Sequence, residues 1–292
     1  MSRQSFPAAV LVALALLASA CSRGAPPQSA AEVSALRAAT VPTDPADAAW
    51  RNAPLFTAAL VLQDMVEPRL LQPSTPNVQV QALTDGKAVA FRLQWVDATK
   101  DDLPGVGRFS DACAVQLPAQ IQAEVPAPHM VEIGKGVEIT YWRAFWQSAV
   151  DGREDTIKAL YPGAAVDHYP FDAAPLVHGS DLQREAEMRS APARALENQM
   201  AGPRQQPVED VIADGPGTMR PAPETRSIGR GIRTADGWAV VLQRPLPAGL
   251  GLGGRSQVAF AVWEGSQQEA GSRKMRSVWV PLALEGAQQA AK

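Results

Sequence analysis

The chain has 292 residues, a net charge of −3 at pH 7 and only two cysteines, Cys21 and Cys113. Its 25 prolines and 22 glycines are typical of short strands joined by turns rather than of a helical bundle. The charge balance argues against a nucleic-acid partner, and the cysteine count excludes a disulfide framework and a Cys-x-x-Cys metal site.

The first 20 residues are predicted to be a signal peptide. Arg3 precedes an apolar run at 7–17, which has the length of a signal-peptide core and is too short to cross a bilayer. Small residues then precede Cys21, as in a bacterial lipobox, where the thiol is lipidated. The usual leucine is shifted by one position, so ordinary cleavage after Ala20 remains an alternative. Ser22 in place of aspartate slightly favours the outer membrane, on the periplasmic side.

Residues 21–47 combine repeated prolines with low apolarity. This composition predicts a flexible tether between the lipid anchor and the folded part of the chain. The folded domain is therefore expected to span 48–288 and to begin near Trp50.

The strongest local pattern lies at 77–97. Apolar and polar residues alternate on both sides of Asp85-Gly86, which predicts a β-hairpin with one buried face. Similar alternation predicts further strands at 137–145, 238–242, 258–263 and 278–284. Several short strands separated by turn residues indicate an all-β fold, an antiparallel β-sandwich.

Four aspartates, Asp97, Asp101, Asp102 and Asp111, follow this hairpin. Carboxylates are the ligands that calcium prefers. Their order does not fit an EF-hand loop, however, and we expect them to form a solvated loop face.

Residues 172–228 interrupt the strand pattern. Ser180-Asp-Leu-Gln183 has the form of a helix capping box, and 182–200 is rich in Ala, Glu, Arg and Gln. We predict a long, partly helical excursion from the sandwich. Such an excursion either binds or covers something, or packs on the sandwich as a surface wrap.

Six stretches, taken in order, resemble one known family. They are residues 89–98 (VAFRLQWVDA), 109–118 (FSDACAVQLP), 141–146 (YWRAFW), 229–233 (GRGIR), 258–265 (VAFAVWEG) and 273–277 (RKMRS). Together they resemble the haem-binding γ subunit of ethylbenzene dehydrogenase, a family shared with dimethylsulfide, selenate and chlorate oxidoreductases. The resemblance covers about 50–285. The family members compared are exported without a lipid anchor, so Cys21 is a departure.

The resemblance implies a β-sandwich that holds one non-covalent haem b between a methionine and a lysine. It further implies a non-catalytic electron-transfer subunit, with a molybdopterin catalytic subunit, an iron–sulfur subunit and a c-type cytochrome carrier as partners. Met130 and Lys274 occupy the matching positions. A lysine binds iron only as the free amine, so its site must disfavour the charged form. Arg273 and Arg276 either add to that effect or pair with haem propionates.

Several alternatives remain open from the sequence. His129 adjoins Met130, and imidazole is a common haem ligand, so a small change of loop register exchanges the two. Without the resemblance, Met130 reads as a core gap-filler and Lys274 as a solvated lysine. The alternative function is a tryptophan-rich sandwich lipoprotein that binds carbohydrate or another small ligand at the cell surface.

Overall fold

The computed structural model describes residues 30–121, 136–164, 180–188, 190–196, 204–215 and 217–286. The strands of this part of the chain are β1 Val33–Arg37, β2 Phe56–Ala59, β3 Val61–Leu62, β4 Asn77–Thr84, β5 Ala88–Val96, β6 Ala112–Pro118, β7 Val137–Arg143, β8 Val208–Ala213, β9 Arg220–Pro221, β10 Ile228–Arg233, β11 Gly237–Pro245, β12 Arg255–Trp263, β13 Met275–Arg276 and β14 Val280–Leu284. Its helices are α1 Ala144–Val150, α2 Ile157–Leu160, α3 Asp181–Glu187 and α4 Ala191–Ala195, with 3-10 helices at Ala48–Asn52 and Gly265–Gln267.

The strands form two sheets that share β12. The first sheet runs in the order β10-β11-β5-β4-β1-β14-β12, and the second in the order β12-β6-β7-β8-β9. The first part of β12 pairs with β14 through Val258, and the second part pairs with β6 from Ala259 onward. One long strand therefore passes from the first sheet into the second, which allows the two sheets to face each other.

The interior between the sheets is filled by large apolar side chains. Phe91 of β5 meets Phe260 of β12 with their ring centroids 6.2 Å apart. Trp95 of β5 meets Trp142 of β7 at 6.4 Å. Burying each such side chain stabilises the fold by about 2–3 kcal/mol. This two-layered, mostly β architecture confirms the prediction of an all-β sandwich.

The predicted hairpin is present as β4 and β5. Its strands pair from Gln79 with Gln94 to Thr84 with Val89. Gly86 has φ +88°, a left-handed conformation that glycine adopts without steric cost. The Asp85 carboxylate accepts hydrogen bonds from the backbone N–H groups of the two residues after the glycine. The alternation in the sequence and the turn residues thus agree on one register.

The prediction of a flexible tether over 21–47 is wrong for the part that the structure describes. Residues 33–37 form β1, which pairs in parallel with both β4 and β14. Val33 and Ala35 are buried in the interior, so the fold begins well before Trp50. These parallel pairings also make the first sheet mixed rather than purely antiparallel. The signal peptide and Cys21 lie outside the described residues.

The predicted excursion over 172–228 is only partly confirmed. The described part contains the short helices α3 and α4, and the backbone N–H of Gln183 donates to Ser180 Oγ at 3.2 Å, as a capping residue requires. Residues 208–213, however, form β8, which pairs with β7 along its whole length. The idea that all of 172–228 lies outside the sandwich is therefore wrong.

The strand predicted at 137–145 ends earlier than expected. β7 stops at Arg143, and Phe145 and Trp146 belong to α1.

In the described residues, none of the helices is long and apolar enough to span a membrane.

Candidate functional site

The outward face of the second sheet carries a hydrophobic cluster that is separate from the interior. In β6, Cys113 and Val115 belong to the interior, whereas Ala112 and Ala114 belong to this second cluster. We call it the outer cluster; its buried members are Ala112, Ala114, Val137, Ile139, Ala213, Trp263 and Trp279, and Tyr141, Val211, Ala259 and Ala261 pack against them. The face of a sheet that contacts water carries mostly polar residues. This outward face is apolar instead, which indicates that it is covered.

The centre of the outer cluster is lined by small residues. Ala114 of β6 pairs with Ala261 of β12, and Ala112 pairs with Trp263. Because alanine extends only one carbon from the backbone, this part of the face is shallow. The rings of Trp263 and Tyr141 lie beside it, 4.9 Å apart. The face therefore combines a shallow floor with an aromatic border.

Lys274 reaches the aromatic border of this face. Its Nζ lies 5.0 Å from the centroid of the Trp263 ring, within the range of a cation–π contact. The position follows from register, since β13 pairs Met275 with Val262 and so brings Lys274 level with Trp263. The Trp263 indole is itself fixed, because its Nε1–H donates to the Gly271 carbonyl at 3.0 Å.

The surroundings of Lys274 disfavour its charged form. Burial, with a smaller contribution from the positive charge of Arg276, lowers the pKa of Lys274 to about 8. Among the described residues, no carboxylate lies within ion-pair distance of its Nζ. A lysine in these surroundings gives up its proton far more easily than a solvated lysine, and the free amine is the form that binds a metal.

The two arginines beside Lys274 have different environments. Arg276 forms an ion pair with Asp64 at 3.3 Å. The guanidinium of Arg273 lies 5.7 Å from the centroid of the Phe109 ring. Arg276 is therefore both a source of positive charge for Lys274 and already paired, whereas Arg273 lies beside Phe109, which lines a neighbouring cavity.

That cavity adjoins the outer cluster through Tyr141. It has a volume of about 230 Å³, and its lining includes Tyr141, Arg108, Arg143, Phe109 and Glu269. The Arg143 guanidinium lies 4.7 Å from the Tyr141 ring centroid and 4.9 Å from that of Trp146, and its Nε is buried without a hydrogen-bond partner. The cavity thus presents two guanidinium groups beside an apolar face.

Met130 and His129 lie outside the described residues, in the segment that joins β6 to β7. The ends of this segment are fixed, because Pro118 pairs with Val137 and the Ala119 N–H donates to the Gly136 carbonyl at 2.8 Å. Lys274 lies near the opposite end of β6, level with Ala112. Lys274 lies on the outward face of the second sheet.

The sequence contains a signal for this face that strand alternation alone did not reveal. In β12, residues 258–263 are apolar at every position, and residues 112–115 of β6 are apolar throughout. Strands with apolar residues on both sides are covered on both sides. The tryptophans follow the same logic, since all seven are at least nine-tenths buried. They provide no exposed aromatic platform for a sugar.

Comparison with known proteins identifies relatives over most of the chain. The family model described as "Ethylbenzene dehydrogenase" matches residues 47–275. A protein of Haloferax mediterranei with the name respiratory nitrate reductase heme subunit ORF7 is 25% identical over 292 residues, which cover 95% of this chain and 82% of the relative. The chlorate reductase subunit gamma of Ideonella dechloratans is 24% identical over 261 residues, covering 86% and 84%.

Solved structures of a carbohydrate-binding module align with most of this chain at low sequence identity. A family 9 carbohydrate-binding module from Caldicellulosiruptor kristjanssonii in complex with cellotriose aligns with a TM-score of 0.43 and 9% identity, covering 89% of this chain and 96% of the module. The same module in complex with glucose gives a TM-score of 0.39 at 9% identity, with 89% and 98% covered.

Proposed function

Because the chain belongs to the ethylbenzene dehydrogenase family, we propose that it is the haem-binding electron-transfer subunit of an exported oxidoreductase complex. The relatives named above as a heme subunit and a gamma subunit support this assignment. The structural observation that carries it is the position of Lys274, a desolvated amine on a covered apolar face. We propose that the amine of Lys274 would bind the haem iron.

The residues of the outer cluster fit a haem. A flat macrocycle needs a shallow apolar floor, and Ala112, Ala114 and Ala261 provide one. Trp263 and Tyr141 supply the walls. The amine of Lys274 is directed to the same face, and the burial that lowers its pKa to about 8 favours the iron-binding form. A solvated surface lysine offers none of these features.

The second proposed ligand, Met130, is close enough in sequence to reach this face. Met130 precedes Val137 by seven residues, a stretch that spans at most about 25 Å when extended. From Val137 to Arg143, which pairs with Ala112 at the level of Lys274, β7 covers about 20 Å. The connection is therefore long enough to bring Met130 over the outward face to Lys274. His129 has the same reach, so spectroscopy must separate the two.

The polar edge of a haem carries two propionates, which need cationic partners. Arg143 and Arg108 line the cavity next to Tyr141, and Arg273 points toward Phe109 in the same lining. A guanidinium binds a carboxylate through two parallel N–H donors. We therefore propose these three arginines as propionate partners. Arg276 already forms an ion pair with Asp64. Its proposed role is to lower the pKa of Lys274 through its positive charge.

The proposed role is electron relay without catalysis. A bound haem supplies a one-electron couple, whose potential a methionine ligand raises. The protein's own residues would hold the haem and lower the proton affinity of Lys274, which makes its free amine easier to form. The proposed partners are a molybdopterin catalytic subunit, an iron–sulfur subunit and a c-type cytochrome. Attachment is proposed to be non-covalent haem b, since the chain has no Cys-x-x-Cys-His and Cys113 is buried in the interior.

Haem content tests this proposal. The full chain, purified from cells that make haem, should show a Soret band and a pyridine haemochrome spectrum of haem b at one haem per chain. Acidified organic solvent should remove all of it and leave colourless protein. Haem that stays on the chain would contradict non-covalent binding. A protein that binds no haem even after addition of haemin would contradict the proposed function and favour a ligand-binding module.

We further propose that the chain is exported and lipidated at Cys21, on the periplasmic side of the outer membrane. The apolar run at 7–17 and the small residues before Cys21 support this. Cells fed a fatty-acid analogue should label the wild-type chain and not a Cys21→Ser variant. Equal labelling of both chains would rule out lipidation at Cys21 and favour ordinary cleavage after Ala20.

A further inference from the structure

Three buried carboxylates meet where three strands end. Asp97 follows β5, Asp111 precedes β6 and Glu264 follows β12. One ligand-type oxygen of each lies within 4.8 Å of the others, and all three residues are buried. The prediction of a solvated aspartate face is therefore wrong for Asp97 and Asp111. No spacing in the sequence links the three, because they come together only when the two sheets pack.

The protein supplies too little positive charge for this cluster. Arg233 is the one described cation in ion-pair contact with Asp97, with NH1 3.7 Å from Oδ1, while its NH2 donates to the Asp97 carbonyl at 2.6 Å. When the three carboxylates are ionised, a single guanidinium leaves two negative charges unbalanced. Buried charges in proteins are normally paired or bound to a metal.

Hydrogen bonding leaves one fully buried oxygen of the cluster, Asp97 Oδ2, without a partner. Asp111 accepts from the indole Nε1–H of Trp238 at 2.9 Å and from the Gly265 N–H at 3.0 Å. Asp97 Oδ1 accepts from the Thr99 N–H at 2.9 Å. Asp97 Oδ2 has no hydrogen-bond partner, although the Asp97 side chain is 0% exposed. An ionised oxygen that is buried and unpartnered is costly unless something else binds it.

The neighbouring Thr99 hydroxyl cannot supply all the hydrogen-bond donors that these carboxylates lack. Thr99 Oγ1 lies 2.7 Å from an Asp101 oxygen and 3.5 Å from oxygens of both Asp97 and Glu264. A hydroxyl has one proton, so it donates to one of the three, and Asp101 is the closest. Asp101 also adds a fourth carboxylate at the edge of the cluster.

We propose that Asp97, Asp111 and Glu264 bind a calcium-class divalent cation. The donors are all oxygens, which suit hard cations and do not select zinc or copper. Two oxygens on one calcium ion at 2.3–2.6 Å lie at most about 5 Å apart, and the observed 4.8 Å limit fits within this span. Asp97 Oδ2 supplies an available lone pair.

The proposed cation would tie together the ends of β5, β6 and β12. The loop after β12 begins at Glu264, and it is further braced by Glu269, whose carboxylate accepts from the Glu264 N–H at 3.0 Å. The same loop leads to Lys274. The cation site does not depend on the haem proposal, because none of its three ligands belongs to the outer cluster.

Terbium luminescence provides a direct test. Trp238 donates to Asp111, so excitation of the indole should sensitise Tb³⁺ bound at the cluster. The full chain, stripped with EGTA, should show this emission, and Ca²⁺ should displace it. Asp97→Asn removes one charge with little change of shape and should weaken Ca²⁺ competition by at least about tenfold. Asp236→Asn, at an exposed position in the same region, should match the wild type.

A second measurement keeps the proposal testable if Asp97→Asn fails to fold. Saturating Ca²⁺ should raise the Tm of the EGTA-stripped wild type by at least about 3 °C, whether or not haem is bound. No sensitised emission and no shift in Tm would overturn the proposal and leave the carboxylates sharing protons. Tighter binding of Zn²⁺ than of Ca²⁺ would also contradict it.

Discussion

Replacing Lys274 by leucine should stabilise the haem-free protein. The pKa of Lys274 falls from 10.5 to about 8 because burial, and then Arg276, disfavour the charged amine. A depression of this size corresponds to roughly 3 kcal/mol against the folded state. Because the side chain keeps some contact with solvent, we expect Lys274→Leu to gain about 1–3 kcal/mol at pH 7. Natural proteins tolerate such a cost where function requires it.

The stability gain of Lys274→Leu should depend on pH, because the pKa of Lys274 differs between the folded and unfolded states. The charged amine costs stability in full below pH 8, where Lys274 is protonated in both the folded and unfolded states. The cost disappears as the pH rises toward 10.5, because the unfolded chain then loses its proton as well. The wild type should therefore approach the stability of Lys274→Leu between pH 8 and pH 10.5.

Guanidinium unfolding of haem-free protein, followed by tryptophan fluorescence at pH 7 and pH 10, measures both effects. Lys87→Leu is the matched control, since Lys87 is exposed in the β4–β5 turn, and it should show neither a comparable gain nor this pH dependence. With haem bound, the order should reverse, because Lys274→Leu has lost the proposed iron ligand. The proposed cost of burying the charged Lys274 is refuted if Lys274→Leu destabilises the haem-free protein at pH 7, or if its difference from wild type is the same at both pH values.

Two further predictions concern the fold. Gly231→Ala should lower the free energy of unfolding by at least about 2 kcal/mol, because a Cβ there lies 2.3 Å from the Trp142 ring. Gly251→Ala is the control, since Gly251 has open space around it, and it should be close to neutral in the same thermal unfolding assay. Ala35→Asp should lower the free energy of unfolding by at least about 3 kcal/mol, because it buries a charge in β1. Ser34→Asp should lower it far less. Equal effects would mean that β1 is not part of the stable sheet.

Local patterns predicted the central hairpin but could not predict its parallel neighbour. In β4 and β5 the period-two alternation and the Asp85-Gly86 turn specify structure within one short window. β1 has only five residues, in a proline-rich stretch, and its partners lie at 82–84 and 282–284. Pairing of this kind is visible only after the chain has folded. β8 was missed for the same reason, because it joins the second sheet by pairing with β7, which lies far earlier in the chain.

The two proposed sites, like the fold, could be predicted from the sequence only in part. Resemblance pointed to Lys274, but its desolvation depends on the register that sets β13 against β12, which no local pattern encodes. The carboxylates of Asp97, Asp111 and Glu264 meet from three strand ends that are 14 and 153 residues apart in sequence. Burial could have been inferred for the outer cluster, since residues 258–263 are apolar on both faces. Alternation alone treated that strand as half-exposed.

The spectrum of the ferric haem tests the central claim most directly. The wild-type protein should show a six-coordinate, low-spin spectrum in electron paramagnetic resonance. Lys274→Ala should convert it to a five-coordinate or water-ligated form, and Met130→Ala should lower the reduction potential and loosen the haem. His129→Ala should retain the low-spin spectrum. Loss of that spectrum in His129→Ala, with its retention in Met130→Ala or Lys274→Ala, would contradict the proposed ligand pair.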